Sequence, residues 1–125
     1  MTRMRFPHII VLAAILWVLV GCHKPQPPPR AHYVPTEAER IAWPKTVDEA
    51  VTRLLADMKD ADKARVRDTK KEDLIIFHHG WGTGIRNEFG LWRGNTNLMA
   101  DCHAQHPDDA SMAIIEAVWQ KLQRP

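Results

Sequence analysis

Residues 78–95 read H-H-G-W-G-T-G-I-R-N-E-F-G-L-W-R-G-N and hold five of the six glycines in the chain. Adjacent histidines, His78 and His79, open the stretch, and Arg86 and Asn87 sit between two tryptophans, Trp81 and Trp92. Downstream, Asp101-Cys102-His103 stands just before His106, with Asp108 and Asp109 beyond it. Four kinds of chemistry suit such residues. Phosphate binding is excluded: Gly80, Gly82 and Gly84 are spaced G-x-G-x-G, whereas dinucleotide sites need G-x-G-x-x-G, and no Gly-Lys-Ser/Thr occurs. Metal binding would use His103 and His106, which share a helical face at i, i+3 and whose imidazoles suit zinc or copper. His78 and His79 point about 100° apart on a helix and rarely hold one ion. Neither H-E-x-x-H nor C-x-x-C is present. Nucleophilic catalysis would use the Cys102 thiol with one of His78, His79, His103 or His106. Cys102 also falls on the face of Leu98, at i to i+4, which suits an inert core cysteine. Finally, Arg86 can pair with a carboxylate such as Asp101 or Asp109, while Asn87 satisfies backbone groups left open by the glycines. If Arg86 instead points outward beside Trp81 and Trp92, the three make an anion- or peptide-binding patch, because Trp and Arg are common interface anchors.

These residues need a scaffold, and the surrounding pattern predicts helices. Val47, Ala50, Val51, Leu54, Leu55 and Met58 recur on one face of a 3.6-residue period. Thr46 and Glu49 open that helix as a reciprocal capping box. Asp60 to Asp68 is charged apart from Ala61, Ala64 and Val66, as expected of a short surface helix. In residues 70–79, Leu-Ile-Ile-Phe would suit a strand, yet no second strand exists to pair with it. The acidic start and Gly80 favour a helix with a glycine stop. The glycines after it are expected to turn the chain around Trp81 before a short helix near Ile85. Asn95 caps a further helix through Leu98, Met99 and Cys102. Pro107-Asp108-Asp109 opens a last helix, apolar around more than half its circumference and therefore expected to be central. The expected fold is an all-α domain of four or five helices from about residue 41, too small for a wide margin of stability.

Gly84-Ile85-Arg86-Asn87-Glu88-Phe89-Gly90-Leu91-Trp92, with Gly94-Asn95 and His106 to Ser111, resembles a small bacterial domain family of unknown function. The resemblance runs from about Trp43 to Leu122 and implies an all-helical domain without assigning it an activity.

The N-terminus carries a separate message. A basic start with Arg3 and Arg5 leads into Ile9–Val20, twelve uninterrupted apolar residues, and then Gly21. That is the layout of a secretory signal peptide. Twelve helical residues span ~18 Å, short of the ~30 Å hydrocarbon core. Leu19-Val20-Gly21-Cys22 resembles the lipobox of bacterial lipoproteins. The resemblance implies cleavage before Cys22, a diacylglycerol on its sulfur and an acylated amino group. Two or more acyl chains anchor stably where one does not. His23 stands where an Asp often retains such proteins in the inner membrane, so the outer membrane, facing the periplasm, is the expected address. Residues 22–40 are then the lipidated cysteine and a linker: Lys24 to Pro35 contains five prolines, expected to be extended at ~3.1 Å per residue.

Composition narrows the function further. Without residues 1–21 the chain has 15 basic and 15 acidic side chains, and a neutral domain with no basic stripe is unsuited to nucleic acid. Two cysteines are too few for a disulfide framework. No cofactor is expected. The reading that results is a membrane-anchored periplasmic lipoprotein whose helical domain binds an envelope protein or cell-wall component. An immunity or inhibitor protein guarding against a toxin is one specific version. The competing class is an envelope hydrolase or metal-dependent enzyme built on the histidines and Cys102.

Overall fold

Helical structure begins earlier than the apolar pattern suggests. The computed structural model describes residues 33–124, and its first helix, α1 (Glu37–Ala42), precedes the expected start of the domain. The Thr36 hydroxyl accepts from the Glu39 amide at 3.3 Å, and the Glu39 carboxylate accepts from the Thr36 amide at 2.8 Å. That capping box satisfies both ends of the first turn. Six residues cannot hold a helix alone in water, so tertiary contacts must supply the rest. Arg93 does so: its guanidinium lies 5.2 Å from the Tyr33 ring centroid and 5.7 Å from that of Trp43. The Tyr33 hydroxyl in turn donates to Glu39. Residues 1–32, which include the segment expected to be a signal peptide, Cys22 and most of the proline-rich stretch, lie outside the described residues.

Helix α2 (Val47–Asp57) buries Ala50, Val51 and Leu54 from the expected stripe. Its capping box is only half formed. The Thr46 hydroxyl accepts from the Glu49 amide at 3.2 Å, but the Glu49 carboxylate turns to the Lys45 amide at 2.6 Å. Helix α3 (Asp60–Asp68) buries Val66 alone, the single-edge packing its charge pattern implies. Residues Lys71–Phe77 then form a 3-10 helix rather than an α-helix. With three residues per turn, Leu74 and Phe77 eclipse and point inward, leaving Ile75 and Ile76 exposed.

The glycines do not turn the chain around Trp81. Helix α4 (Trp81–Glu88) starts at that residue and carries Gly82 and Gly84 within it. Gly90 and Gly94, by contrast, take left-handed conformations (φ 68° and 94°) and bracket a 3-10 turn, Leu91–Arg93. Gly90 is needed for a second reason: a Cβ there would fall inside the indole of Trp43, which is itself buried.

Helix α5 (Thr96–Asp101) is capped by Asn95 as expected, with the side-chain oxygen accepting from the Leu98 amide at 3.3 Å. Helix α6 (Pro107–Gln123) is the centre of the domain. It touches α2, α3, α4, α5 and both 3-10 segments, and buries Ala110, Ser111, Ile114, Ile115 and Val118. Toward its far end the Trp119 indole donates to the Thr69 carbonyl at 2.8 Å. The architecture is all-α. No described helix is long and apolar enough to cross a membrane.

Candidate functional site

Arg86 is the chemically richest side chain of the glycine-rich stretch, and it points inward. It is 5 % exposed. One terminal nitrogen donates to Ser111 Oγ at 2.8 Å, and the other to Thr83 Oγ1 at 2.9 Å and to the His78 carbonyl at 3.4 Å. Nε lies 3.1 Å from Asp108 Oδ1, which makes an ion pair although the N–H is not aimed well enough to count as a hydrogen bond. Ser111 passes the link onward by donating to the Asp108 carbonyl at 2.8 Å. The partner carboxylate is therefore Asp108. Asp109 is exposed and Asp101 instead accepts from the Val47 amide at 2.6 Å. Gly82 makes room for this arrangement, since a Cβ there would sit 3.1 Å from the guanidinium and 3.3 Å from the Phe77 carbonyl. The network clamps α4 to the first turn of α6. A buried cation held this way serves architecture, because removing Asp108 would leave the guanidinium charge uncompensated in the interior.

The outward patch of Trp81, Arg86 and Trp92 accordingly does not exist. Trp81 is half-buried, stacks edge-to-face on Phe77 with centroids 5.9 Å apart, and lines a groove of about 220 Å³. Met58, Asp62, Arg65, Val66 and Phe77 form the rest of that groove. Trp92 is 54 % exposed and stands edge-on to His106, with centroids 5.2 Å apart. Asn87 is exposed, and its carbonyl accepts from Arg93.

Residues 43–122, well over half the chain, match the domain of unknown function DUF6794. The chain belongs to the DUF6794 family. No curated protein and no solved structure matches it.

In this DUF6794 domain the backbone-satisfying role expected of Asn87 falls to Asn95. Its side-chain amide donates to the Pro44 carbonyl at 2.9 Å and the Phe89 carbonyl at 2.8 Å, while its oxygen caps α5. Only the cap was visible as a local signal; Pro44 is 51 residues away. Arg93, which holds α1, carried no sequence signal beyond its charge. The histidines serve separate purposes. His106 Nδ1 accepts from the Asp108 amide at 3.2 Å, capping α6, and lies 3.4 Å from Asp108 Oδ2. His103 takes a left-handed conformation, φ 53°, beyond the end of α5. His78 and His79 stack on each other edge-to-face at 4.8 Å, and His78 Nδ1 is buried without a partner. Among the described residues no three His, Cys, Asp or Glu side chains form a set able to hold a metal ion. Burial pushes the half-buried Cys102 thiol up to about 11, and the Asp101 charge adds to the shift. At neutral pH the sulfur stays protonated, a poor nucleophile.

Proposed function

We propose that this chain is a lipid-anchored, periplasm-facing lipoprotein whose DUF6794 domain binds a protein or cell-wall partner of the bacterial envelope. The Leu-Val-Gly-Cys motif after a basic start and an apolar run supports the anchor. The outward presentation of Trp92 supports binding. Its 3-10 turn is locked between two left-handed glycines, its ring is braced by His106, and yet it is more than half exposed. A rigidly held aromatic loses little entropy on contact and is a frequent anchor of interfaces. The groups suited to catalysis point away from that role: Arg86 is consumed in the clamp between α4 and α6, and Cys102 keeps its proton.

Two measurements test the two halves. Cells labelled with a clickable fatty acid should incorporate it into the wild-type chain and not into Cys22→Ser; equal labelling overturns the anchor. After cross-linking in cells, Trp92→Ala should lose its envelope partner by at least about tenfold while melting at the wild-type temperature. A variant that retains the partner removes Trp92 from the binding face.

A further inference from the structure

A small polar cavity lies where the end of α1 meets the turn that opens α5. Arg40, Trp43 and Lys45 line it from one side and residues 94–97 from the other, around a volume of about 170 Å³. Pockets that enclose a whole small molecule measure ~300–1,000 Å³, so this one takes a single chemical group.

The charge of the cavity is one-sided. Residues 33–124 carry 15 acidic against 13 basic side chains, yet the lining holds two cations and no acid. Neither Arg40 nor Lys45 forms an ion pair with another described residue. The Lys45 ammonium donates to the Arg40 carbonyl, which fixes it beside the residue that carries the guanidinium. The Glu49 carboxylate accepts from the Lys45 backbone amide at 2.6 Å and is not part of the lining. A concave surface lined by one sign of charge focuses the field and concentrates counter-ions.

The walls are fixed before any ligand arrives. Trp43 is buried against Gly90 and lies 5.7 Å from the Arg93 guanidinium. Asn95, 3 % exposed, commits its amide hydrogens to the Pro44 and Phe89 carbonyls. Gly94 leaves the mouth open, since a Cβ there would meet nothing within 4 Å. Exposed Thr96 and Asn97 add a hydroxyl and a carboxamide. Such a donor set discriminates among anions. A carboxylate offers two oxygens in one plane and is satisfied by a single guanidinium fork. A tetrahedral phosphate offers several oxygens in different directions, which suits a guanidinium, an ammonium and neutral donors on two sides of a cavity.

We infer that this cavity binds a phosphate group, with Arg40 and Lys45 supplying the charge and Thr96 and Asn97 the neutral donors. The phosphate belongs to a lipid headgroup or to a free phosphate ester, and the chemistry of recognition is the same for both. Trp92 does not line the cavity, so the site stands apart from the partner surface proposed above. Nor does it rest on acylation of Cys22.

Two titrations of the full-length chain in mild non-ionic detergent test the site. One uses glycerol phosphate; the other uses mixed micelles carrying phosphatidylglycerol at the same phosphate concentration and ionic strength. The backbone amide signals of residues 94–97, followed by NMR, should shift and saturate in at least one of them. Arg40→Gln should weaken binding by about tenfold, the loss of one charge-assisted contact. Asn97→Asp should weaken it at least as much, because it places a carboxylate in the cavity. An acid in the first turn of α5 favours the helix, so that loss does not come from unfolding. Binding about tenfold tighter or more in the phosphatidylglycerol arm assigns the phosphate to a lipid headgroup; equal or weaker binding there assigns it to a free ester. The proposal is overturned if neither ligand gives saturable shifts at these amides, or if either variant binds within about twofold of wild type.

Discussion

Replacing Gly90 by alanine should be the most damaging methyl group that can be added to this domain. Two costs combine at the one position. A non-glycine residue at φ 68° pays about 1–2 kcal/mol for the left-handed backbone. The added Cβ would also overlap the Trp43 indole carbons, and overpacking of a buried site typically costs about 1–3 kcal/mol. A central value is about 3 kcal/mol, against a total stability of about 5–10 kcal/mol for a domain this size. With about 4–8 °C lost per kcal/mol in a small domain, Tm should fall by roughly 12–24 °C. Gly84→Ala is the matched control. It lies inside α4 with nothing within 4 Å of the new Cβ, so alanine should stabilise by about 0.5–1 kcal/mol through helix propensity. Thermal unfolding followed by circular dichroism reads both. If Gly90→Ala melts within a few degrees of wild type, the packing of Trp43 on that glycine is wrong, and with it the way residue 43 closes onto the turn before Trp92.

Three further outcomes follow from the same contacts. Asp108→Leu should destabilise by about 3 kcal/mol by leaving the buried Arg86 guanidinium without its carboxylate, with Arg86→Met/Asp108→Leu losing less than the sum of its single changes in a double-mutant cycle. Cys102 should react with iodoacetamide about a hundredfold more slowly in the folded domain than after unfolding, given a thiol near 11 against an ordinary 9.0; equal rates would place the sulfur in solvent. Glu39 is held down to about 2 from 4.5, chiefly by the Tyr33 hydroxyl and next by Thr36, so its contribution to docking α1 is present above about pH 4.5 and lost as pH falls through about 2. Amide exchange over Glu37–Ala42 should therefore accelerate at acid pH before exchange in α6 does.

How much of the molecule was legible depends on the range of the interaction responsible. The stripe of α2, the single buried edge of α3, the Asn95 cap and the Pro-Asp-Asp opening of α6 are written within one or two turns of helix, and they match the structure. The stretch from Gly80 to Gly94 was read less well because glycine has two uses. Backbone freedom is a local property, and it applies at Gly90 and Gly94; room for a neighbouring side chain is not, and it explains Gly82. The Thr46–Glu49 capping box was legible but half wrong, since the Lys45 amide competes for the same carboxylate at shorter reach. Helix α1 was legible only at its start: Thr36 and Glu39 form a local capping box, while the Arg93 that holds the helix is more than fifty residues later.

From the order of residues alone came an all-helical domain, its central last helix, its near-zero charge, and the basic, apolar and Leu-Val-Gly-Cys segments ahead of it. Each of these is set by periodicity or composition, which survive without knowing what lies opposite. The direction of Arg86, the separation of Trp81 from Trp92, the three-way use of Asn95 and the protonated state of Cys102 were decided only by the tertiary structure. Burial is the common reason. Whether a polar side chain is a tool or a tie depends on whether folding removes it from water, and that is determined by elements distant in the chain.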